Sequence, residues 1–132
     1  MNIKSSKELV DKANELIKVM SPEQVKNAYD KGEITLIDVR DIRELWNEGT
    51  IKDSIHIPRG MLEFWLDPQS SYYQEKKIGD IKNIVLFCAL GFRSALATKA
   101  LKEMGFDNVA NANGGFDSLK KAGLPVVVKE KK

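Results

Sequence analysis

The chain has one cysteine, Cys88, at the end of the apolar run Ile84-Val85-Leu86-Phe87, followed by Ala89-Leu90-Gly91-Phe92-Arg93 and then Ser94, where a helical pattern begins. A thiol between a strand and a helix is placed for nucleophilic chemistry. A short turn here would aim backbone N–H groups inward, and the helix beyond it adds the positive end of its dipole, so the cradle favours an anion. Gly91 permits the backbone angles of a tight turn, and Arg93 brings a fixed charge whose fork either folds against the cradle or faces a bound oxyanion. Such surroundings favour thiolate over thiol and argue against a merely buried small hydrophobe. Cys88 is therefore the candidate nucleophile, and Ala89, Leu90, Gly91, Phe92, Arg93 and Ser94 are the candidate anion-binding loop. With one cysteine and one histidine, His56, neither an intramolecular disulfide nor a Cys/His metal site is expected.

The elements that must position this loop follow from the pattern around it. Leu9, Val10, Ala13, Leu16 and Ile17 recur at helical spacing and predict an N-terminal amphipathic helix over 7–17. Ser21-Pro22-Glu23-Gln24 is a helix start with a capping box, and Gly32 ends that helix. Residues 34–39 form a buried-strand pattern, Asp41 with Glu44 caps a helix over 42–47, and 54–57 is a second strand cut off by Pro58. Two short helices are expected between Met61 and Ile78, divided by Pro68. Residues 83–88 are the clearest buried strand, followed by a helix over 94–104 with Leu96, Ala97, Ala100, Leu101 and Met104 facing inward. A last strand over 108–112, the Gly114-Gly115 turn and a helix over 116–122 complete the pattern. Strands alternating with helices define an α/β domain with a mainly parallel sheet, whose ligands bind at the carboxyl ends of the strands, where Cys88 stands.

Composition narrows the function. The 132 residues suit one domain, and the 42% hydrophobic and 30% charged content is that of a globular chain. A net charge of +2 gives no reason to expect nucleic acid or an anionic membrane as partner. The apolar runs fall far short of the roughly 20 residues of a bilayer helix, and the first residues lack the pattern of a secretory signal. A cytoplasmic location is expected.

Cys88-x-x-Gly91-x-Arg93-Ser94 resembles the active-site loop of single-domain rhodaneses, members of the sulfurtransferase superfamily. A second stretch, Leu36-Ile37-Asp38-Val39-Arg40-Asp41 with Glu44, Gly49, Ile51 and Ile57-Pro58-Arg59-Gly60, resembles the N-terminal motif of that family. Gly105-Phe106, Asn108-Val109 and Gly114-Gly115 resemble its C-terminal signature. The chain departs from the family pattern at Asp53-Ser54, where glycine-alanine is frequent, and at Leu119, where tryptophan is frequent.

The resemblance spans about residues 19–126 and implies a rhodanese-like three-layer domain, its central five-stranded, mainly parallel sheet covered by helices on both faces. Residues 1–18 form an N-terminal helical extension and 127–132 a C-terminal tail in this scheme. The implied activity is sulfur transfer without metal or organic cofactor. Cys88 takes sulfane sulfur from a small-molecule donor such as thiosulfate, holds it as a persulfide and passes it to a thiol, cyanide or a protein acceptor. Backbone N–H groups of Ala89 to Arg93 would stabilise the developing charge. In this motif Asp38 is expected to tie down backbone amides, and Arg40 to pair with Glu44. Arg59 either attracts an anionic donor or is a solvated surface residue.

Three alternatives share the scaffold. A noncatalytic or sulfur-responsive interaction module would keep the fold, but such modules usually lack the cysteine. Cysteine phosphatase chemistry needs a wider loop than the four residues, Ala89 to Phe92, that separate Cys88 from Arg93 here. Phe87 also replaces the histidine that commonly precedes a phosphatase cysteine, and arsenate reduction is disfavoured by the same loop size. Trp65 or Phe92 would wall the pocket, while His56 is expected to be structural.

Overall fold

A computed structural model describes residues 1–79, 81 and 83–131. Its elements, in chain order, are α1 Ser6–Leu16, β1 Lys18–Met20, α2 Pro22–Asp30, β2 Thr35–Asp38, α3 Ile42–Glu48, β3 Thr50–Ile51 and β4 Ile55–His56. After a 3-10 turn, Arg59–Met61, come α4 Leu62–Leu66, α5 Glu75–Ile78, β5 Ile84–Phe87, α6 Phe92–Met104, β6 Val109–Ala112, α7 Gly115–Lys121 and β7 Val126–Val127. Five strands form one sheet in the order β1-β6-β5-β2-β4, with every pair parallel. β3 and β7 form a separate antiparallel pair, in which Thr50 lies opposite Val127. Of the expected C-terminal tail, Lys132 lies outside the described residues.

The sheet is buried on both faces because side chains alternate along each strand. Ile37, Ile84, Leu86 and Val109 pack on one face with Leu62, Leu66, Ala97 and Leu101, from α4 and α6. Leu36, Val85, Phe87, Ala110 and Ala112 face the other way, against Val25 of α2 and Phe116 and Leu119 of α7. A fully buried leucine such as Leu86 contributes about 1.5–3 kcal/mol relative to an exposed one. The three-layer α/β architecture expected from the sequence is therefore present.

Several local expectations change. β1 is a strand that hydropathy does not mark, since only Met20 of its three residues is buried; pairing with β6 makes it an edge strand. Between Met61 and Ile78 the helices are a single turn or little more, and 67–74 is turn and loop. Met104, expected to face inward, is exposed at the end of α6. α1, by contrast, is docked on the domain, the role expected of it. Its Val10, Ala13 and Ile17 pack against Ala95 and Leu96 of α6, while Leu9 and Leu16, at the edges of its stripe, remain exposed.

Two capping boxes read from the sequence are formed. The Ser21 hydroxyl accepts from the Gln24 N–H at 3.1 Å while the Gln24 side chain accepts from the Ser21 N–H at 2.9 Å. Before α3, Asp41 accepts from the Arg43 N–H and Glu44 Oε2 from the Asp41 N–H, both at 2.9 Å. The second cap fixes where Glu44 points, and that matters at the thiol loop.

Candidate active site

Cys88 leaves the carboxyl end of β5, the middle strand of the sheet, and the chain turns through Gly91 into α6. The helix starts at Phe92, two residues earlier than the pattern predicts, because Gly91 caps it in the left-handed region at φ +98°. Phe92, Arg93 and Ser94 are thus the first three helical residues, whose N–H groups have no partner within the helix. The buried Sγ of Cys88 accepts from the Gly91 N–H at 3.1 Å and from the Ser94 N–H at 3.4 Å, with Ser94 Oγ also at 3.4 Å. Of the loop amides, that of Gly91 reaches the unmodified sulfur, and the second donor to it is the Ser94 N–H.

The floor of the loop is the Gly114-Gly115 turn. The Phe116 N–H donates to the Cys88 carbonyl at 2.8 Å. Gly115 sits at φ +68°, and a Cβ there would lie 2.5 Å from both the Cys88 and Ala89 carbonyl oxygens. A side chain at 115 would therefore push the loop off its support. Above the sulfur the rim is apolar, with Leu90 and Phe92 about 60% exposed. Phe92 also lines a groove of about 470 Å³ between α1 and the start of α6. Trp65 of α4, the other expected pocket wall, is half-buried and packs against the core cluster that includes Cys88.

Arg93 turns its fork toward α3. Nη1 and Nη2 donate to Glu44 Oε2 and Oε1 at 2.8 and 2.9 Å. In this structure Arg93 ties the loop to the cap of α3. The Arg93 fork, helped by the Asp41 N–H, holds the Glu44 carboxyl below its usual range against the opposing effect of burial. Glu44 in turn holds Arg93 above its ordinary value. Next to this pair, Arg43 keeps the Asp41 carboxyl down at about 2.

The expected Arg40–Glu44 pair does not form, because Glu44 is already engaged and Arg40 has a closer partner. The buried guanidinium of Arg40 binds Asp38, with Nε 3.0 Å from Oδ1 and Nη2 2.8 Å from Oδ2. Nη2 also donates to the Gly49 carbonyl at 2.7 Å, and the guanidinium carbon lies 4.2 Å from the centroid of the Phe116 ring. Asp38 further accepts from the Arg40 N–H at 3.0 Å and the Thr50 hydroxyl at 2.7 Å. His56 Nε2 lies 2.7 Å from the Arg40 carbonyl oxygen. Arg59 pairs with Glu63 at 2.8 Å on the first turn of α4, so its charge is shared with a carboxylate.

Two residues of the site escape sequence reasoning. Asn111, opposite Leu86 in the β5–β6 register, is buried and donates through Nδ2 to the Gly91 carbonyl at 3.1 Å. Its Oδ1 accepts from the Ser94 hydroxyl at 2.6 Å. Asn14 of α1 accepts from the same Nδ2 at 3.3 Å. A polar residue within a strand otherwise lined by small apolar ones was the available signal for Asn111. For Asn14, on a helix outside the motifs, there was none.

The geometry is that of an α/β domain which holds a lone thiol under a helix N-terminus at the carboxyl end of its central parallel strand. The profile of the Rhodanese-like domain matches residues 21–122, and the chain belongs to that family. A solved structure from Rhodopseudomonas palustris, of a protein of unknown function described as a possible tyrosine phosphatase, is 36% identical with TM-score 0.88. The match covers 96% of this chain and 97% of that one. The polysulfide-sulfur transferase of Wolinella succinogenes is 33% identical with TM-score 0.71, covering 94% of this chain and 88% of that one. A thiosulfate sulfurtransferase of Actinobacillus pleuropneumoniae is 29% identical over 107 residues, 81% of this chain and 90% of the relative. Among the described residues no helix is long and apolar enough to cross a membrane.

Proposed function

We propose that the protein is a sulfurtransferase that carries sulfane sulfur on Cys88. The observation that supports this best is the buried Sγ facing two inward N–H groups in a four-residue loop. In the first half-reaction the Cys88 thiolate, its proton released to solvent, attacks the outer sulfur of thiosulfate. The new S–S bond forms as the donor S–S bond breaks, and sulfite leaves with the electron pair. In the second, a thiolate or cyanide attacks the outer sulfur of the persulfide and Cys88 departs as thiolate. Amides placed where charge develops lower the barrier for both steps. A thiol persulfide or polysulfide chain would enter by the same displacement. The reading places the protein in the cytoplasm with small-molecule or protein sulfur acceptors, the chain 19–126 as the catalytic domain and 1–18 as a helical extension docked on it.

The description of the Rhodopseudomonas palustris neighbour raises phosphatase chemistry as a second reading. Two features weigh against it: the short loop, and the engagement of Arg93 with Glu44 rather than with the space above the sulfur. Mass spectrometry of the intact protein after incubation with thiosulfate tests the proposal. One added sulfur, removed by cyanide and absent from Cys88→Ser, is the expected result. An unmodified protein, or hydrolysis of an aryl phosphate at a substantial rate, would overturn it.

A further inference from the structure

The Ser94 hydroxyl has one proton and two neighbours that compete for it. Asn111 Oδ1 is 2.6 Å away and Cys88 Sγ is 3.4 Å away. The orientation of the Asn111 amide settles where the proton resides. The Gly91 carbonyl can only accept, and it lies 3.1 Å from Nδ2; a flipped amide would set two acceptors against each other there. Oδ1 therefore faces Ser94, takes its proton, and leaves only oxygen lone pairs toward the sulfur. A thiol S–H can donate to those lone pairs, whereas a thiolate gains nothing from them.

We propose that Asn111 is a positioning residue that acts through Ser94, holding the hydroxyl proton away from Cys88 and so withholding a third hydrogen-bond donor from the thiolate. When the sulfur ionises, Ser94 can become its third donor beside the Gly91 and Ser94 N–H groups, but only by releasing Asn111. Both N–H bonds of the amide are used, one on Gly91 and one on Asn14 of α1, so the N-terminal helix helps hold the amide in place. The charged groups near the thiol lie outside β6, with Arg93 on α6 beside Ser94 itself. They are Arg93 with Glu44 of α3, the Asp38–Arg40 pair with Glu48 at 3.8 Å, and His56 of β4 on the Arg40 carbonyl. Lys7 and Asp11 of α1 pair beside Arg93. β6 presents the neutral Asn111, so a substitution there leaves these charges in place.

The relevance of this arrangement to turnover rests on the sulfurtransferase reading. Its test does not, so the two can fail separately. Cys88 is the one thiol of the chain, and its ionisation is read by the ultraviolet absorbance of the thiolate against pH, with Cys88→Ser subtracted to remove tyrosine. Asn111→Leu frees the Ser94 hydroxyl and should move the midpoint down by about one pH unit, the shift expected when one hydrogen bond is turned toward a charged acceptor. In a Ser94→Ala background the same substitution should leave the midpoint in place, because no proton remains to be released. Asn111→Ala carries the same expectations if leucine prevents folding, with the fold checked by thermal melting. An amide that merely braced the loop would give the opposite sign, since a loosened loop loses its two N–H donors. A midpoint that stays or rises in the folded variant, or falls equally without the Ser94 hydroxyl, overturns the proposal.

Discussion

Two arginines close two neighbouring strand-to-helix turns, each on a carboxylate, and they do different work. Arg40 and Asp38 are fully buried, with Thr50, the Gly49 carbonyl and the Phe116 ring around them. Arg93 and Glu44 meet near the surface, their side chains 44% and 28% exposed. Burial sets the difference. A charge taken out of water must keep its partner, whereas a charge at the surface can exchange its partner for water. The inner pair is therefore part of the architecture under β2, and the outer one is an adjustable tie between the thiol loop and the cap of α3.

Removing Arg40 should have the largest effect. Arg40→Met leaves Asp38 buried without its counter-charge and is expected to lower unfolding free energy by about 3–5 kcal/mol, read by urea denaturation. Asp38→Leu combined with Arg40→Met should regain much of that loss, since an apolar pair leaves no orphaned charge. A loss under about 1 kcal/mol in the single variant would put the inner pair in the same class as an exposed one.

The outer pair should behave in the reverse sense, with little loss of stability and a clear loss of rate. Arg93→Ala is expected to change unfolding free energy by less than about 1 kcal/mol. On the proposed sulfurtransferase reading it should slow thiosulfate-to-cyanide sulfur transfer on the order of tenfold, because a loop held loosely seldom presents its amides to the reacting sulfur. Arg93→Lys keeps the charge and loses the two-pronged grip on Glu44, so recovery of rate should be partial. Full recovery with lysine would mean that charge alone matters at this position.

How much of this was legible depends on the distance over which each signal acts. The capping box at Asp41 and Glu44 and the turn at Gly91 are local chemistry, readable within a few residues, and both are formed. The partners of the arginines are not local. Arg40 and Glu44 share a helix-like spacing that invites pairing, yet Glu44 is drawn to Arg93, 49 residues away, by the way β2 and β5 lie side by side. Asn111 was readable as a strand residue, but its bonds to Gly91 and Ser94 exist only because β6 pairs with β5. β1 was missed because an edge strand of three residues with one buried side chain carries almost no pattern.

The smallest effect isolates the charge of the outer pair from its geometry. Glu44 is held below its ordinary value of 4.5 chiefly by the Arg93 fork. A carboxyl depressed in the folded state contributes stability that is fully present above its unfolded value and is lost as pH falls through the folded one. Glu44→Gln keeps an acceptor for the Asp41 N–H and removes the charge, together with one of the two oxygens that receive the Arg93 fork. A protonated glutamic acid likewise offers one carbonyl oxygen, so the two proteins match most closely in acid. At neutral pH the variant should be less stable by under about 1 kcal/mol, as befits a partly exposed pair. The gap should close as the pH drops below 4.5 and the natural carboxyl is itself neutralised. Urea denaturation of both proteins from neutral to acidic pH measures that gap. A difference that persists unchanged into acid would mean that Glu44 ties the loop by the fit of its oxygens to two donors, and that its charge contributes nothing beyond it.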